Sequence, residues 1–526
     1  MADRNETDPV KMEKIVSLCK RKGFIFQSAE IYGGLNGCWD YGPLGAELKR
    51  NLKDYWWRVN VQERPDIVGM DGAILTHNSV LTASGHVGGF TDPLCDCLLS
   101  KERLRADQIP AQSGVAFWWK GAAAKDGSWS TKKEFSMLVP TAGDKDAKAA
   151  RKGALQYYSQ ISGKNLPAAE IELGEETTEE VTDTVRYNPA NGSLVTEARS
   201  FNLMFKTTIG AAADENDPST IGWLRPETAQ SIFCQYKNIL DSSRMKIPFG
   251  IAQIGKSFRN EINPRNFTFR SREFEQMEIE YFCKEEDGLA LTDEWLERCL
   301  VFYENIGIPR DKIHILDVPD GERAFYSKKT YDLEYQFPFG VQELQGIAYR
   351  TNYDLGRHGE GSGKPMEYFD EATREKFIPH VVEPSAGCDR TVLAVLCEAY
   401  DEEELGKDGK SDVRVVMHFH PRMAPIKAAI FPLLKKNEEQ VRIAHEIEAQ
   451  LRPFMNVFYD EGGAVGRRYR RMDEVGTPFC ITVDFGTLGE EGEENKGTVT
   501  IRHRDSMEQE RVKIDEVLTW LLKRIH

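Results

Sequence analysis

The chain has 526 residues, of which 40% are hydrophobic, 10% aromatic and 29% charged. This composition excludes extensive disorder and suits a soluble globular protein of roughly three domains. The formal net charge of −16 disfavours a general nucleic-acid binder, although a local basic surface remains compatible with RNA.

The sequence contains no candidate for a membrane-spanning segment or a signal peptide. No run of apolar residues approaches the length of a bilayer span, and the start, MADRNETDPV, has no apolar core. Ten cysteines are scattered and form no C-x-x-C pair. That distribution is typical of a reducing compartment, so we expect a cytoplasmic protein without membrane contact.

The N-terminal part predicts two helices separated by a turn-rich loop. The first runs from Met12 to Lys22 and the second from Ala46 to about Val59. Between them, residues 33–45 contain five glycines and one proline. The second helix has one apolar face, formed by Leu48, Leu52, Tyr55 and Trp56.

The rest of the chain falls into three sections. Residues 93–196 are rich in Ala, Lys, Gly, Glu and Thr, which predicts an insertion, and the acidic run Glu175–Glu180 within it predicts a solvated surface. Residues 197–405 favour a mixed α/β or α+β domain. The polar segment Asp401–Ser411 predicts a linker. Strand and helix signals alternate after it, with helices at 437–451 and 514–525, which predicts a separate domain over about 406–526.

The segment Phe258–Phe282 predicts a β-hairpin with an unusual number of charges. It is rich in Phe, Ile and Tyr, and Asn263–Asn266 interrupts it like a turn. On spacing alone, two interpretations stay open. One is an exposed edge ribbon with surface ion pairs. The other is a site for a ligand that carries both signs of charge, such as a nucleotide with an amino acid.

Several motifs resemble those of the class II aminoacyl-tRNA synthetases. FRNE at 258–261 with the following hairpin resembles motif 2, EPSAGCDRTVLAVL at 383–396 resembles motif 3, and 41–45 with its helix resembles motif 1. The segments LRPETAQSIF, YSKKTYDLEYQFPFG, ELQGIA and GRRYRRMDEVGTPFC are similar to those of the homodimeric glycyl-tRNA synthetases. With the segments of motifs 2 and 3 they make six matches in chain order, which together are far more specific than any one.

The resemblance implies an α+β fold: an antiparallel catalytic sheet with flanking helices, followed by a C-terminal α/β anticodon-binding domain. It makes 1–92 the N-terminal part of the catalytic domain with motif 1, and 197–405 the core with motifs 2 and 3. It implies activation of glycine by ATP with Mg²⁺, transfer of glycine to tRNA(Gly), and a homodimer. Glycine has no side chain to grip, so a small pocket would exclude every larger amino acid without editing.

The resemblance also assigns site residues. Arg259 and Arg390 are implied to be catalytic, on the α-phosphate and the far phosphate, and Glu343 to help bind Mg²⁺. The implied ATP site comprises Arg259, Asn260, Glu261, Phe269, Arg270, Ser271, Arg272, Glu273, Phe274, Glu343, Leu344, Gly387, Cys388, Asp389 and Arg390. The implied glycine site comprises Arg105, Glu227, Phe274, Glu275, Gln276, Met277, Glu278, Glu383, Pro384, Ser385, Ala386 and Gly387.

The alternative for Glu278 is a buried structural carboxylate that pairs with Arg272. For tRNA, the candidates are Arg467, Arg468, Arg470 and Arg471, because clustered arginines beside an aromatic suit RNA phosphates and bases. Their alternative is an ordinary basic surface loop.

The chain departs from the family in its insertion. Many members carry Cys-x-x-Cys pairs there, which suit a zinc knuckle. Here Cys95 and Cys97 are separated by one residue, and no second pair occurs near Asn188–Gly192. Four ligands cannot be assembled from these thiols, so we predict no zinc.

Two other functions compete with this interpretation. A different class II synthetase, such as a prolyl or threonyl enzyme, would share the anticodon domain, but RPETAQ and EPSAG disfavour it. An accessory nucleic-acid-binding subunit would have lost the motif residues. Arg259, Glu261, Glu343 and Arg390 are all present, which favours an enzyme.

Overall fold

The computed structural model describes residues 7–163, 166–211, 214, 217–324, 326–406 and 412–525. Two compact units are present. The first comprises Met1–Ser84, Phe205–Arg259 and Arg265–His526, and the second comprises Gly85–Met204 and Asn260–Pro264. Part of the predicted linker, residues 407–411, lies outside the described residues.

Helices occur in both units. In chain order they are α1 (Pro9–Lys22), α2 (Pro43–Trp57), α3 (Asn78–Ala83), α4 (His86–Gly89), α5 (Asp144–Ile161), α6 (Ala229–Ser243), α7 (Gly288–Asn305), α8 (Tyr353–Ser362), α9 (Cys388–Ala399), α10 (Glu438–Leu451), α11 (Val465–Val475) and α12 (Val517–Ile525).

Strands form several separate sheets. The first fourteen are β1 (Ile25–Gln27), β2 (Trp39–Tyr41), β3 (Ile67–Gly69), β4 (Leu75–His77), β5 (Thr91–Asp96), β6 (Arg103–Arg105), β7 (Gln112–Ala124), β8 (Ser130–Val139), β9 (Ile171–Thr184), β10 (Arg199–Asn202), β11 (Phe205–Thr208), β12 (Ile221–Leu224), β13 (Phe249–Phe258) and β14 (Glu273–Cys283). The others are β15 (Ile313–Asp317), β16 (Lys329–Phe337), β17 (Gly340–Thr351), β18 (Tyr368–Phe369), β19 (Lys376–Phe377), β20 (His380–Gly387), β21 (Tyr400–Glu404), β22 (Val413–Met417), β23 (Ala428–Pro432), β24 (Val457–Tyr459), β25 (Phe479–Val483), β26 (Thr498–His503) and β27 (Gln509–Lys513).

Both predicted N-terminal helices are confirmed, and their ends follow from local chemistry. The Asp8 carboxylate caps α1 by accepting from the Lys11 N–H at 2.8 Å, and Gly23 ends the helix at φ 78°. Pro43 opens α2, where a missing N–H costs nothing. The predicted apolar face of α2 is buried along its whole length.

A seven-stranded sheet forms the centre of the first unit, in the order β15-β16-β17-β20-β14-β13-β3. Its pairs are antiparallel except β13–β3, which confirms the expected antiparallel sheet. Helices α2, α7 and α9 contribute to one hydrophobic core on this sheet, and α6 and α8 contribute to another. The sheet is therefore flanked by helices, as the resemblance implied.

The predicted hairpin is present, but two of its details differ. Strands β13 and β14 pair from Phe249↔Phe282 to Phe258↔Glu273, so the connection is residues 259–272 and not a four-residue turn. Strand β14 also pairs with β20 on its other side. Eight of its eleven residues are buried, so the exposed edge ribbon is wrong.

The C-terminal region forms a five-stranded sheet in the order β24-β23-β25-β26-β27. Strand β23 is parallel to β24 and β25, whereas β26 and β27 are antiparallel. Helices α10 and α12 contribute to one core on this sheet, and α11 contributes to another. This is the expected α/β arrangement. The predicted linker begins as a strand, because β21 pairs with β22.

The second unit contains two three-stranded antiparallel sheets, β8-β7-β9 and β10-β5-β6. Helix α5 packs on the first sheet through a core that includes Phe135, Tyr157 and Tyr158. The acidic run Glu175–Glu180 lies in edge strand β9 and is exposed, as predicted. Among the described residues, no helix is long and apolar enough to cross a membrane.

Candidate active site

Glu278 lies at the middle of the central sheet, on β14, and is 2% exposed. Its carboxylate accepts a short hydrogen bond from the Thr228 hydroxyl and another from the Ser385 hydroxyl at 2.8 Å. Burial raises the pKa of Glu278, and the nearby carboxylate of Glu227 raises it further. Arg272 donates to the carbonyl of Asn36 at 2.7 Å, so the alternative pairing of Glu278 with Arg272 is wrong.

Arg350, on β17, is a cation of this buried region. It bonds to the carboxylate of Asp354 through Nε at 2.8 Å and Nη2 at 2.9 Å, and to Glu383 through Nη1. Its guanidinium also lies over the ring of Tyr326, 4.2 Å from the centroid. Burial raises the pKa of Glu383 to about 8 although Arg350 opposes the shift.

Glu280 is the most deeply buried of the acids, with no exposed surface. Among the described residues, neither of its carboxylate oxygens has a hydrogen-bond partner. Oxygens of Glu278, Glu280 and Glu383 lie within 4.8 Å of one another. Burial raises the pKa of Glu280 well above its usual range, and Glu383 adds to the shift. The region therefore holds more carboxyl groups than nearby cations can neutralise, which suits a bound ammonium group.

The two arginines implied to be catalytic both belong to the first unit. Arg259 donates from Nε to the Pro226 carbonyl at 3.2 Å and lies over the ring of Phe274, 5.4 Å from its centroid. Arg390 donates to the Phe269 carbonyl at 3.3 Å and lies 4.4 Å from the centroid of that ring. Stacked guanidinium groups are held flat, which suits them to grip phosphate oxygens in fork geometry.

Glu343 lies beside Arg390 and a second carboxyl group. Its Oε2 is 3.1 Å from Nη1 of Arg390. A Cβ atom placed on Gly346 would sit 3.8 Å from both Glu343 Oε1 and Asp332 Oδ1, so the two carboxyl groups face the same space. Burial raises the pKa of Asp332 to about 7, and Glu343 and Glu334 add to the shift. Hard carboxylate oxygens in excess of cations fit Mg²⁺.

Asp389 and Glu275 belong to a network of buried ion pairs. Nζ of Lys49 lies 2.7 Å from Asp389 and 3.0 Å from Glu275, and Lys53 lies 2.9 Å from Glu275. Tyr41 donates to Asp389 at 2.6 Å. These contacts join α2 to β14 and α9, within the set of residues implied to bind the substrates.

Gln276 connects several of the remaining glycine-site candidates. Its side chain accepts from the Thr228 N–H at 3.1 Å and from the Ser257 hydroxyl at 2.8 Å, and it donates to Ser385 at 3.4 Å. Met277 and Ala386 are buried partners across β14 and β20. Pro384 lies on the same strand β20, and Gly387 ends it and caps α9.

The remaining ATP-site candidates of the first unit are close to Arg390 or to the hairpin ends. Phe269, Leu344 and Cys388 are buried. Ser271 bonds to the Thr268 carbonyl at 3.3 Å, Glu273 pairs with Lys256 at 2.8 Å, and Arg270 follows a short helical turn.

Three candidates belong to the second unit. Asn260 and Glu261 group with it, and the N–H of Asn260 donates to the Leu203 carbonyl at 2.6 Å. Arg105 pairs with Asp107 at 2.6 Å and with Asp92 at 2.8 Å. The hydrogen bond to Asp107 raises the pKa of Arg105, so the guanidinium group of Arg105 keeps its charge.

The four arginines proposed for tRNA lie on helix α11, not in a loop, and they differ in exposure. Arg468 is 1% exposed and donates to the carbonyls of Pro432 at 2.6 Å and Leu433 at 3.1 Å. It is therefore not available to RNA, which corrects that part of the expectation. Arg470 pairs with Asp412 at 2.8 Å, Arg471 pairs with Asp460, and Arg467 is exposed.

The sequence reasoning missed several residues of the buried region. Arg350 and Thr228 bond directly to predicted carboxylates, those of Glu383 and Glu278. Asp354 bonds to Arg350, and Gln230 bonds to Glu227 at 2.8 Å. The sequence held one signal for this region: Arg350 precedes Asp354 by four residues, and that spacing allows an ion pair. Thr228 carries no such signal.

Comparison with known proteins identifies relatives over nearly the whole chain. Residues 207–400 match the model of the tRNA synthetase class II core domain (G, H, P, S and T), and residues 427–524 match that of the anticodon binding domain. The glycine–tRNA ligase of Clostridium perfringens is 48% identical over 96% of this chain and 97% of its own length. Those of Clostridium acetobutylicum and Rhodopirellula baltica are 46% and 45% identical, each over 98% of this chain and 99% of their own length.

Proposed function

We infer the chemistry of the site from one premise: the chain belongs to the glycine–tRNA ligase family of class II aminoacyl-tRNA synthetases. It is an enzyme that joins glycine to tRNA. We propose that the reaction has two steps. The carboxylate of glycine attacks the α-phosphorus of ATP and pyrophosphate leaves. A terminal ribose hydroxyl of tRNA(Gly) then attacks the carbonyl of glycyl-adenylate, and AMP leaves.

The buried carboxylate of Glu278 is the observation that carries the proposal for glycine binding. Its bonds from Thr228 and Ser385 fix its orientation, and the excess of acids around Arg350 favours a cationic ligand. We propose that Glu278 and Glu227 receive the ammonium group of glycine and that Ser385 helps enclose it. We propose that these side chains leave no room for a Cβ atom, so that larger amino acids are rejected sterically.

The same sheet supplies groups suited to ATP. We propose that Arg259 neutralises charge on the α-phosphate and the attacking carboxylate, and that Arg390 holds the distant phosphate. Positioning and charge neutralisation are the main contributions of a protein to displacement at phosphorus. Phe274, under Arg259, offers a ring face to adenine.

Glu343 and Asp332 fit a divalent cation by their chemistry, because burial and mutual repulsion disfavour two ionised carboxylates without one. Bound Mg²⁺ would screen phosphate charge during the displacement. Arg390 contacts Glu343 directly. We propose that this arginine exchanges part of that contact for phosphate oxygen when ATP binds.

We propose a homodimer in the cytoplasm as the working form. The loop before α2 exposes two large apolar side chains, Ile31 and Tyr32, each 88% exposed, and Leu35 is 54% exposed. Such a cluster suits a covered interface better than water. Light scattering of the Ile31→Asp/Tyr32→Asp variant, with the exposed Val10→Asp variant as control, should give a monomer only for the double variant.

ATP–pyrophosphate exchange tests the activation step. Purified protein should exchange label with glycine and not with alanine or serine, and Arg390→Ala should reduce that exchange by at least 100-fold. Arg442→Ala is a matched control, since Arg442 is an exposed arginine that pairs only with carboxylates of its own helix among the described residues. Absence of exchange with every amino acid, from folded wild-type protein, would refute this function and favour a nucleic-acid-binding role.

A further inference from the structure

Two turns in the second unit share one backbone pattern. They are residues 97–102 and 188–193. In each, the N–H of the first residue donates to the carbonyl of the sixth, at 2.8 Å from Cys97 and 2.9 Å from Asn188. The N–H of the fifth residue donates back to the carbonyl of the first, at 3.0 Å from Lys101 and 2.8 Å from Gly192. Both fifth residues have positive φ, 61° and 72°.

The two turns are joined to each other as a pair. The N–H of Leu98 donates to the Leu194 carbonyl at 3.0 Å, and Cys97 forms an antiparallel bridge with Val195. A side-chain bond adds to these contacts, because Nδ2 of Asn188 donates to Glu102 at 3.0 Å. We call this pair of turns the clasp.

The fourth residue of each turn contacts the sulfur atom of Cys97. The Ser100 N–H lies 3.4 Å from Sγ of Cys97, and Nδ2 of Asn191 lies 3.6 Å from it. Burial alone would raise the pKa of Cys97. Hydrogen bonds from Ser100, Asn191 and Asn188 outweigh burial and lower the pKa to about 7. The backbone N–H of Ser100 and the side chain of Asn191 therefore both point at the thiol.

The side chains of the two asparagines accept hydrogen bonds from backbone N–H groups of their own turn, as the sulfur of Cys97 does. Asn188 Oδ1 accepts from the Ala190 N–H at 2.8 Å, and Asn191 Oδ1 accepts from the Ser193 N–H at 2.9 Å. Each turn thus carries two acceptor side chains three residues apart, C-x-x-S in one and N-x-x-N in the other. That spacing, used twice, is the ligand spacing of a tetrahedral Cys₄ zinc site.

The donors present do not fit zinc. One thiol, one hydroxyl and two amides lack the three further thiolates or imidazoles that a structural zinc site requires. Cys95 does not supply a second thiol to the clasp by its observed bond, since its Sγ donates to the Leu104 carbonyl at 3.6 Å. From the sequence, Cys95 and Cys97 were the first pair of candidate zinc ligands. In the structure, the residue at the ligand spacing from Cys97 is Ser100.

We propose that the clasp is a metal-independent counterpart of a four-ligand metal site, in which hydrogen bonds to Cys97 hold together the two turns that a metal ion would otherwise join. Three substitutions, Ser100→Cys, Asn188→Cys and Asn191→Cys, would then complete a tetrathiolate site without rebuilding the backbone.

Titration with Co²⁺ tests the proposal in the full-length triple variant. One Co²⁺ should bind per chain with the thiolate charge-transfer and visible bands of tetrahedral sulfur coordination, and Zn²⁺ should displace it. The wild-type chain should show no such bands, and adding Cys97→Ser to the triple variant should weaken binding at least tenfold. A folded triple variant that binds no Co²⁺, or binds it equally well without Cys97, would overturn the proposal.

A second measurement keeps the proposal testable if the triple variant does not fold. The pH dependence of the Cys97 ¹³Cβ chemical shift, followed by NMR, should give an apparent pKa near 7 in the wild type and a value at least one unit higher in Asn191→Ala. Asn238→Ala, which removes an exposed asparagine elsewhere, should leave it unchanged. An unchanged Cys97 pKa in Asn191→Ala would contradict the clasp.

Discussion

Lys49 and Asp389 form a buried ion pair that joins helix α2 to the first turn of helix α9. Nζ of Lys49 lies 2.7 Å from Oδ1 of Asp389, and both side chains are less than one-tenth exposed. The backbone N–H of Glu275 donates to the other oxygen of Asp389 at 2.6 Å. We infer that Asp389 has a structural role in the site, because donors of the protein already occupy both of its carboxylate oxygens.

Removal of the cation should destabilise the enzyme strongly. Lys49→Met leaves Asp389 and Glu275 buried without their shared partner, which costs about 3–5 kcal/mol in free energy of unfolding. Lys53→Met is the control, because Lys53 contacts the same Glu275 but is 31% exposed, and it should cost about 1 kcal/mol or less. Urea denaturation measures both, and equal losses would contradict the structural role of the buried pair.

When the pH is lowered, the Lys49→Met variant should unfold at a higher pH than the wild type does. Burial disfavours ionised Asp389, but Lys49 and the hydrogen bonds outweigh it, so the pKa of Asp389 is lowered. A lowered carboxyl pKa contributes stability above the unfolded value, about 3.9, and this stability is lost as the pH falls through the folded value. Acid titration followed by circular dichroism should show a higher pH midpoint of unfolding in Lys49→Met than in the wild type. An unchanged midpoint would contradict the role of Lys49 in lowering the pKa of Asp389.

Because of the raised pKa of Glu280, the free energy of unfolding should decrease as the pH rises. Its pKa is raised by burial and by Glu383, opposed by Arg350, and raised again by Glu278 and Asp354. The native state then holds a proton that the unfolded state releases above about pH 4.3, so stability falls with increasing pH, by at most about 1.4 kcal/mol per pH unit for one proton.

Glu280→Gln removes this titration with little change of shape. Thermal unfolding at pH 5, 6.5 and 8 should show a smaller decline in the variant than in the wild type. Glu261→Gln, which changes a carboxyl group of the second unit, provides the comparison and should retain the wild-type slope. Parallel slopes for wild type and Glu280→Gln would exclude a protonated Glu280.

Neighbouring arginines of helix α11 should have different functions. Arg468→Ala removes a buried guanidinium and leaves the Pro432 and Leu433 carbonyls without their donor, so we expect a loss of about 2–4 kcal/mol in stability. Arg467→Ala should leave stability within about 0.5 kcal/mol but weaken tRNA binding. Filter binding at several salt concentrations should show the salt slope reduced by about 0.7–0.9 in Arg467→Ala. Equal stability of the two variants would contradict the burial of Arg468.

Sequence patterns predicted the elements whose periodicity was clear. The apolar face of α2, with Leu48, Leu52, Tyr55 and Trp56, followed from helical spacing alone. The segment that became β14 was recognisable from its aromatic and β-branched residues. Its connection to β13 was not, because residues 259–272 form an irregular link that no turn motif specifies. Strand β21 was missed since its acidic sequence, YDEEE, resembles a linker; the cross-strand pair of Glu403 and Arg414 stabilises it.

Burial of charged residues could not be predicted from the sequence. Glu273 is exposed and Glu280 is fully buried, although both belong to the same run of alternating charges. Strand β20, about a hundred residues further along the chain, pairs with β14 between Gln276 and Cys283 and does not reach Glu273. The same holds for Arg467 and Arg468, because only the fold decides which side of α11 faces the sheet.

The glycine dependence of ATP–pyrophosphate exchange in Glu278→Ala, compared with wild type, tests directly whether the Glu278 carboxylate binds the ammonium group of glycine. We expect the KM for glycine to rise at least 100-fold while the KM for ATP changes less than threefold, because the ammonium loses its carboxylate and the phosphate-binding arginines remain. A KM for glycine that stays at the wild-type value in folded Glu278→Ala would contradict the assignment of the buried carboxylate to glycine.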